Sequence, residues 1–190
     1  MSIIIPKLIS GSVLKQYMQE HTRPISEDEW CKEGGDSLLW KRGCARNFVT
    51  VTDTLYVFKK TQNDRLSCDR RQMITNLIIP VGAIIHIPYD AYTCKESDSR
   101  KMRTNKAIVH SNVMCTNMHH FGHISPSEFS KQKLERWTQR AVAHSQYLNE
   151  FTYKVDHLVK PRQAFSLVTG SCESGIHFFV NVVDALKYGG

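Results

Sequence analysis

Apolar and polar positions alternate differently in two parts of the chain. Near the start, apolar residues recur at helical spacing. "SVLKQYMQEH" puts Val13, Leu14, Tyr17 and Met18 on one face, and the Ser12 hydroxyl stands where it can cap the first turn. "SEDEWCKEGG" predicts a second short helix. Ser26 and Glu29 have the spacing of a reciprocal capping box, and Gly34 can take the left-handed conformation that stops a helix. From about residue 47 the pattern shortens to strands. "NFVTV", "TLYVFKK", "MITNLIIP", "GAIIHIP" and "NKAIVHS" are brief β-branched and aromatic runs between turn residues, and Pro80 and Pro88 close two of them.

One long helical pattern interrupts the strands, "SPSEFSKQKLERWTQRAVAH". Ser125 is a good N-cap, Pro126 suits the first helical position, Glu128 completes a capping box, and Leu134, Trp137 and Ala141 line one face. Strands return at "AFSLV" and "GIHFFVN". In "NVVDALKYGG", Asn181 can cap a last short helix and Asp184 suits its positive end. The pattern predicts an α+β fold, a mostly antiparallel β-sheet with a few short helices and one longer inserted helix. It divides into an N-terminal helical arm, 1–46, and a β-rich domain, 47–190.

Length and composition narrow the class. With 190 residues, 41% hydrophobic and 23% charged, the chain can bury a core without staples. "SIIIPKLI" is broken by Pro6 and Lys7, too short for a signal-peptide core, and no run approaches the roughly 20 residues that span a bilayer. Six cysteines with no C-x-x-C pair and no export signal predict reduced thiols.

Charge is uneven. Residues 1–40 carry −2 and the remainder +9. The basic excess lies in "DRRQ" (Arg70, Arg71), "RKMRTNK" (Arg100, Lys101, Arg103), "KQKLERWTQR" (Lys133, Arg136, Arg140) and "KPR". Such groups could meet nucleic acid, an anionic surface or an acidic protein face, and they could equally form a solvated surface.

Candidate chemistry adds little. "CTNMHHFGH" places Cys115, His119 and His123 at intervals of four, but Asn117 and Gly122 weaken a helix there and a second ligand pair is missing. The stretch reads as a polar loop, and no cofactor or metal is expected. No phosphate loop, H-E-x-x-H or G-x-S-x-G is present. Cys172 and His177 lie close in sequence, yet a nucleophile needs a base placed in space, so a turn entering a buried strand is the simpler reading.

The last 40 residues carry a resemblance. Phe151, Tyr153, Val159, Pro161, then Cys172, Gly175, Ile176, His177, Phe178, Phe179, then Ala185 and Tyr188 fit F-x-Y-x-x-G-x-x-V-x-P, C-x-x-G-I-H-F-F and A-x-x-Y. This resembles an uncharacterised C-terminal domain of large DNA virus and tailed-phage proteins, often attached to pentapeptide repeats. "LYVFKK", "IPYDA" and "SRKMRTNKAIV" look like its earlier blocks. The chain departs from it in three places: at the usual glycine before V-x-P, read as His157, at Met102, where a Lys-Cys-Arg block has cysteine, and from about Met114 to Arg140, which looks like an insertion. A pairing of that cysteine with Cys172 would therefore be absent here. The resemblance implies a viral origin and a β-rich fold, and brings no reaction with it.

The expectation is a non-enzymatic virion component, a minor capsid or capsid-associated protein made in the host cytoplasm. It would contact other viral structural proteins, with Trp30 and Trp40 as docking candidates because tryptophans anchor interfaces. The alternative is an intracellular viral nucleic-acid-binding accessory protein using the basic groups.

Overall fold

The structure, a computed structural model, describes residues 10–63, 72–94, 98–115, 137–147, 150–170 and 172–188. Two antiparallel sheets carry the α+β fold. The smaller has five strands in the order β1 (Thr22–Pro24), β2 (Phe48–Val51), β5 (Ile84–His86), β6 (Met102–Thr104) and β12 (Ile176–Phe178). The larger runs β10 (Thr152–Lys154), β9 (Val142–His144), β3 (Leu55–Gln62), β4 (Gln72–Ile79), β7 (Ala107–Cys115) and β11 (Leu158–Val159). Its seventh strand, β8 (Trp137–Arg140), pairs with the far end of β7.

Period-2 alternation sends the two faces of the large sheet to different places. Leu55, Val57, Leu77, Ile79 and Val109 join Ile85, Met102, Ile176 and Phe178 in the main core. On the opposite face, Phe58 and Ile74 pack under helix α4 (Val182–Lys187) with Phe179, Val182, Val183 and Leu186. Strand β12 belongs to the small sheet, but the residue after it reaches β3. Phe58 and Phe179 exchange both backbone hydrogen bonds at 2.7 Å, which joins the sheets.

The N-terminal helices follow their caps. Helix α1 (Gly11–His21) starts two residues earlier than its pattern suggests, because Ser10 rather than Ser12 is its cap and accepts from the Val13 amide. A side chain at Gly11 would strike the Tyr92 carbonyl, so the helix packs closer to that loop than any other residue allows. Ser26 and Glu29 form the reciprocal capping box of α2 (Glu27–Lys32), and Gly34 has φ +90° before α3 (Ser37–Lys41). The packing crosses the boundary expected near residue 46. Leu14 and Met18 lie in the main core, and β1 is a strand of the small sheet, paired with β2 from Thr22↔Val51 to Pro24↔Val49.

Two expected elements differ. Of the long helix expected from Ser125, residues 125–136 lie outside the described residues, and its end is strand. Trp137–Arg140 pairs with Asn112–Cys115, and Val142–His144 with Thr152–Lys154. Tertiary pairing outweighs a local helical pattern there. "AFSLV" forms no strand, because the carbonyls of Ser166, Val168 and Gly170 accept from the Arg103 guanidinium instead of a ladder. Counted along the motif from Phe151 to Pro161, its glycine position is Asp156 rather than His157. Asp156 turns the chain between β10 and β11 with φ +62°, a conformation that Asp tolerates better than most residues.

Candidate functional site: a lysine-lined cavity

The edge of β3 has neighbours at two points. Phe179 lies opposite Phe58 and His144 opposite Gln62, and residues 59–61 lie between. At this opening is a cavity of about 450 Å³, walled by β3, the segment before β6, the ends of β9 and β10, residues 161–163 and 172–177, and Tyr188. Consecutive strand residues point to opposite faces, yet Lys59 and Lys60 both line the cavity, which therefore wraps the strand edge.

Three lysines line this space. Lys59 Nζ donates to the His177 carbonyl at 3.1 Å and lies 5.7 Å from the Tyr153 ring centre. Lys60 Nζ donates to the Tyr188 carbonyl at 2.7 Å. Lys101 Nζ donates to the Tyr188 hydroxyl at 2.8 Å and stands over the same ring. Among the described residues none of the three is ion-paired. The lining carboxylate, Glu173, accepts from Ser166. Desolvation, reinforced by the like charge of Lys101, lowers the Lys59 amine to about 8. Desolvation also lowers Lys60. Burial raises the Tyr153 hydroxyl well above its usual range. The rest of the wall is mainly apolar and aromatic, with the Phe151 ring tilted against Tyr153 at 5.1 Å and Phe179 tilted against Tyr188 at 5.4 Å. Cations beside an apolar wall are a chemistry that can attract and orient an anion.

Nine of the twelve residues that carry the sequence resemblance line this cavity, among them Phe151, Tyr153, Pro161, Cys172, His177 and Tyr188. Cys172 and His177 are thus brought to the same wall. Lys59 and Lys60 did not stand out in the sequence reading, although a signal exists. Two adjacent charges in an otherwise apolar strand cannot both face water, since alternation turns one inward.

The basic candidates that are described mostly turn inward. Arg103 is buried, donates to the carbonyls of Ser166, Val168, Gly170 and Ser174, and stacks on Phe165. It holds the loop that walls the cavity and cannot reach a phosphate outside. Arg100 pairs with Asp184 at 3.3 Å. Lys101 lies in the cavity, and Arg140 is exposed. Arg70, Arg71, Lys133 and Arg136 lie outside the described residues. Trp30 is 1% exposed, its indole donating to the Asp36 carbonyl, so it is a core residue and not a docking anchor. Trp40 is half-buried against the same cluster. Cys115 ends β7, and the histidines after it are outside the described residues. Cys31, Cys44 and Cys94 are free thiols. No described helix is long and apolar enough to cross a membrane.

A second surface lies on the outer face of the large sheet, beyond α4. Cross-strand register puts Tyr56 beside Ile78, Ile78 beside Ile108, and Ile108 beside Leu158, an apolar row across four strands. Tyr56 and Leu158 are more than half exposed. No family model, curated protein or solved structure matches the chain.

Proposed function

We propose that the chain is a non-enzymatic binding protein, a structural component of a large DNA virus particle, whose cavity holds an anionic group. The observation that carries the binding role is the convergence of Lys59, Lys60 and Lys101 on one mainly apolar cavity without a paired carboxylate. Three like charges there raise the energy of the empty protein, and an anion among them lowers it. The viral setting rests on the resemblance over residues 151–188. The apolar row Tyr56–Ile78–Ile108–Leu158 supports contact with a neighbouring protein subunit, since exposed apolar patches on a sheet face mark such contacts.

The nucleic-acid alternative draws less support. Of the "RKMR" block, Arg100, Lys101 and Arg103 are all engaged inside the fold.

Particles produced with the wild-type chain and with a Leu158→Arg chain test the particle role. Quantitative mass spectrometry of salt-washed particles should find the wild-type protein retained and the variant depleted at least tenfold, with both equally folded in isolation. Wild-type protein confined to the soluble fraction would overturn the particle assignment.

A further inference from the structure

The geometry points to a small organic anion as the occupant of the cavity, its acidic group among the ammonium groups of Lys59, Lys60 and Lys101 and its apolar or aromatic body against Phe151, Tyr153 and Phe179. This rests on the anion-binding reading above and goes beyond it by naming what carries the charge.

Size is the first argument. Water occupies about 30 Å³ per molecule in the liquid, so a space of about 450 Å³ is far larger than a lone inorganic phosphate or a single carboxyl group needs. It falls within the range of pockets that enclose whole small molecules. The second argument is the division of the wall. The ammonium groups gather around the His177 carbonyl and Tyr188. The Phe151–Tyr153 pair offers aromatic surface alongside them, with Lys59 standing 5.7 Å from the Tyr153 ring centre. A ligand that met only the charges would leave the half-buried Phe151 ring in contact with water. The third argument is hydrogen-bond capacity. Each ammonium has three donors, and the described fold supplies each with one acceptor. A phosphate or carboxylate brings several acceptor oxygens to donors already gathered, so little ordering is needed on binding.

The lysines have a structural reading as well, as pins that hold the chain end at Tyr188 and the β12 backbone. The two readings predict opposite behaviour on neutralisation. If Lys59 is a pin, Lys59→Met removes a useful hydrogen bond and lowers the melting temperature. If it is a ligand group, the substitution relieves like-charge repulsion in the empty cavity and destroys anion binding.

The probes are inorganic phosphate, phenyl phosphate, benzoate and benzyl alcohol, measured calorimetrically on the full chain at fixed ionic strength. Phenyl phosphate should bind at least tenfold tighter than inorganic phosphate, benzoate should bind measurably, and benzyl alcohol should not. Lys59→Met and Lys101→Met should each weaken phenyl phosphate at least tenfold, with no fall in the melting temperature of the ligand-free protein. Phe151→Ala should weaken phenyl phosphate while leaving inorganic phosphate unchanged. Equal binding of the two phosphates would overturn the organic ligand and leave the anion site standing. No binding of any anion, or destabilisation of both lysine variants with anion affinity intact, would overturn both.

Discussion

Lys59 has an amine near 8 because burial and the neighbouring Lys101 both oppose its charge, and that shift makes stability depend on pH. Below about pH 8 the amine is charged in folded and unfolded chains alike, and the penalty is fully present. Between about 8 and 10.5 the unfolded chain keeps a proton that the folded chain releases, so stability rises with pH. Lys60 acts in the same direction. Tyr92 and Tyr153, raised by burial, oppose it only above their ordinary value of 10. Denaturant unfolding of ligand-free protein should therefore show wild type gaining more than ~1 kcal/mol between pH 8 and 10 relative to Lys59→Met. Parallel profiles would show that Lys59 is not desolvated. Arg103 makes the contrasting case, a buried cation fully used by the fold. Arg103→Met would leave the carbonyls of Ser166 and Gly170 without a donor and take one donor from those of Val168 and Ser174, which keep backbone partners, and should cost at least ~2 kcal/mol, because unsatisfied acceptors inside the fold are expensive. A melting temperature within a degree or two of wild type would contradict that role.

Among the elements, β12 and the two residues after it hold two cores at once. Phe178 is fully buried in the main core, and Phe179 packs with α4 on the other face of β3. Phe178→Ala and Phe179→Ala should each cost roughly 3–5 kcal/mol, read by thermal or urea unfolding, and an unchanged midpoint for either would remove its ring from the core. This alternation is legible in "GIHFF", as are the Ser26–Glu29 box and the Asn181 cap, because each is settled by residues a few positions apart. The failures share the opposite cause. Trp137–Arg140 reads as helix locally and becomes strand because Asn112–Cys115 offers it a ladder. "AFSLV" reads as strand and loses its carbonyls to Arg103, more than sixty positions away. The cavity is least legible of all. Lys59 meets the His177 carbonyl across 118 positions and Lys60 meets Tyr188 across 128.

For the whole molecule, the charge step near residue 46 is not a packing boundary. Leu14 and Met18 fill the main core, Trp30 packs edge-on against Phe48 at 5.3 Å, and Glu29 accepts from Thr50 across the same border. A chain beginning at Arg46 should lose cooperative unfolding, because it would expose that core and strip β1 from the edge of β2. A sharp two-state melt of the truncated chain would show instead that the arm is an accessory. The joint between the two sheets has a further consequence. Along the cavity edge of β3 they meet through one residue pair, Phe58 and Phe179, whereas β3 and β4 are paired over eight positions. Such a seam should open more often than the ladder beside it, and an occupant of the cavity would act as a splint across it. Amide exchange at Phe58 and Phe179 should then slow when the cavity is filled, while the amides of the β3–β4 ladder keep their rates.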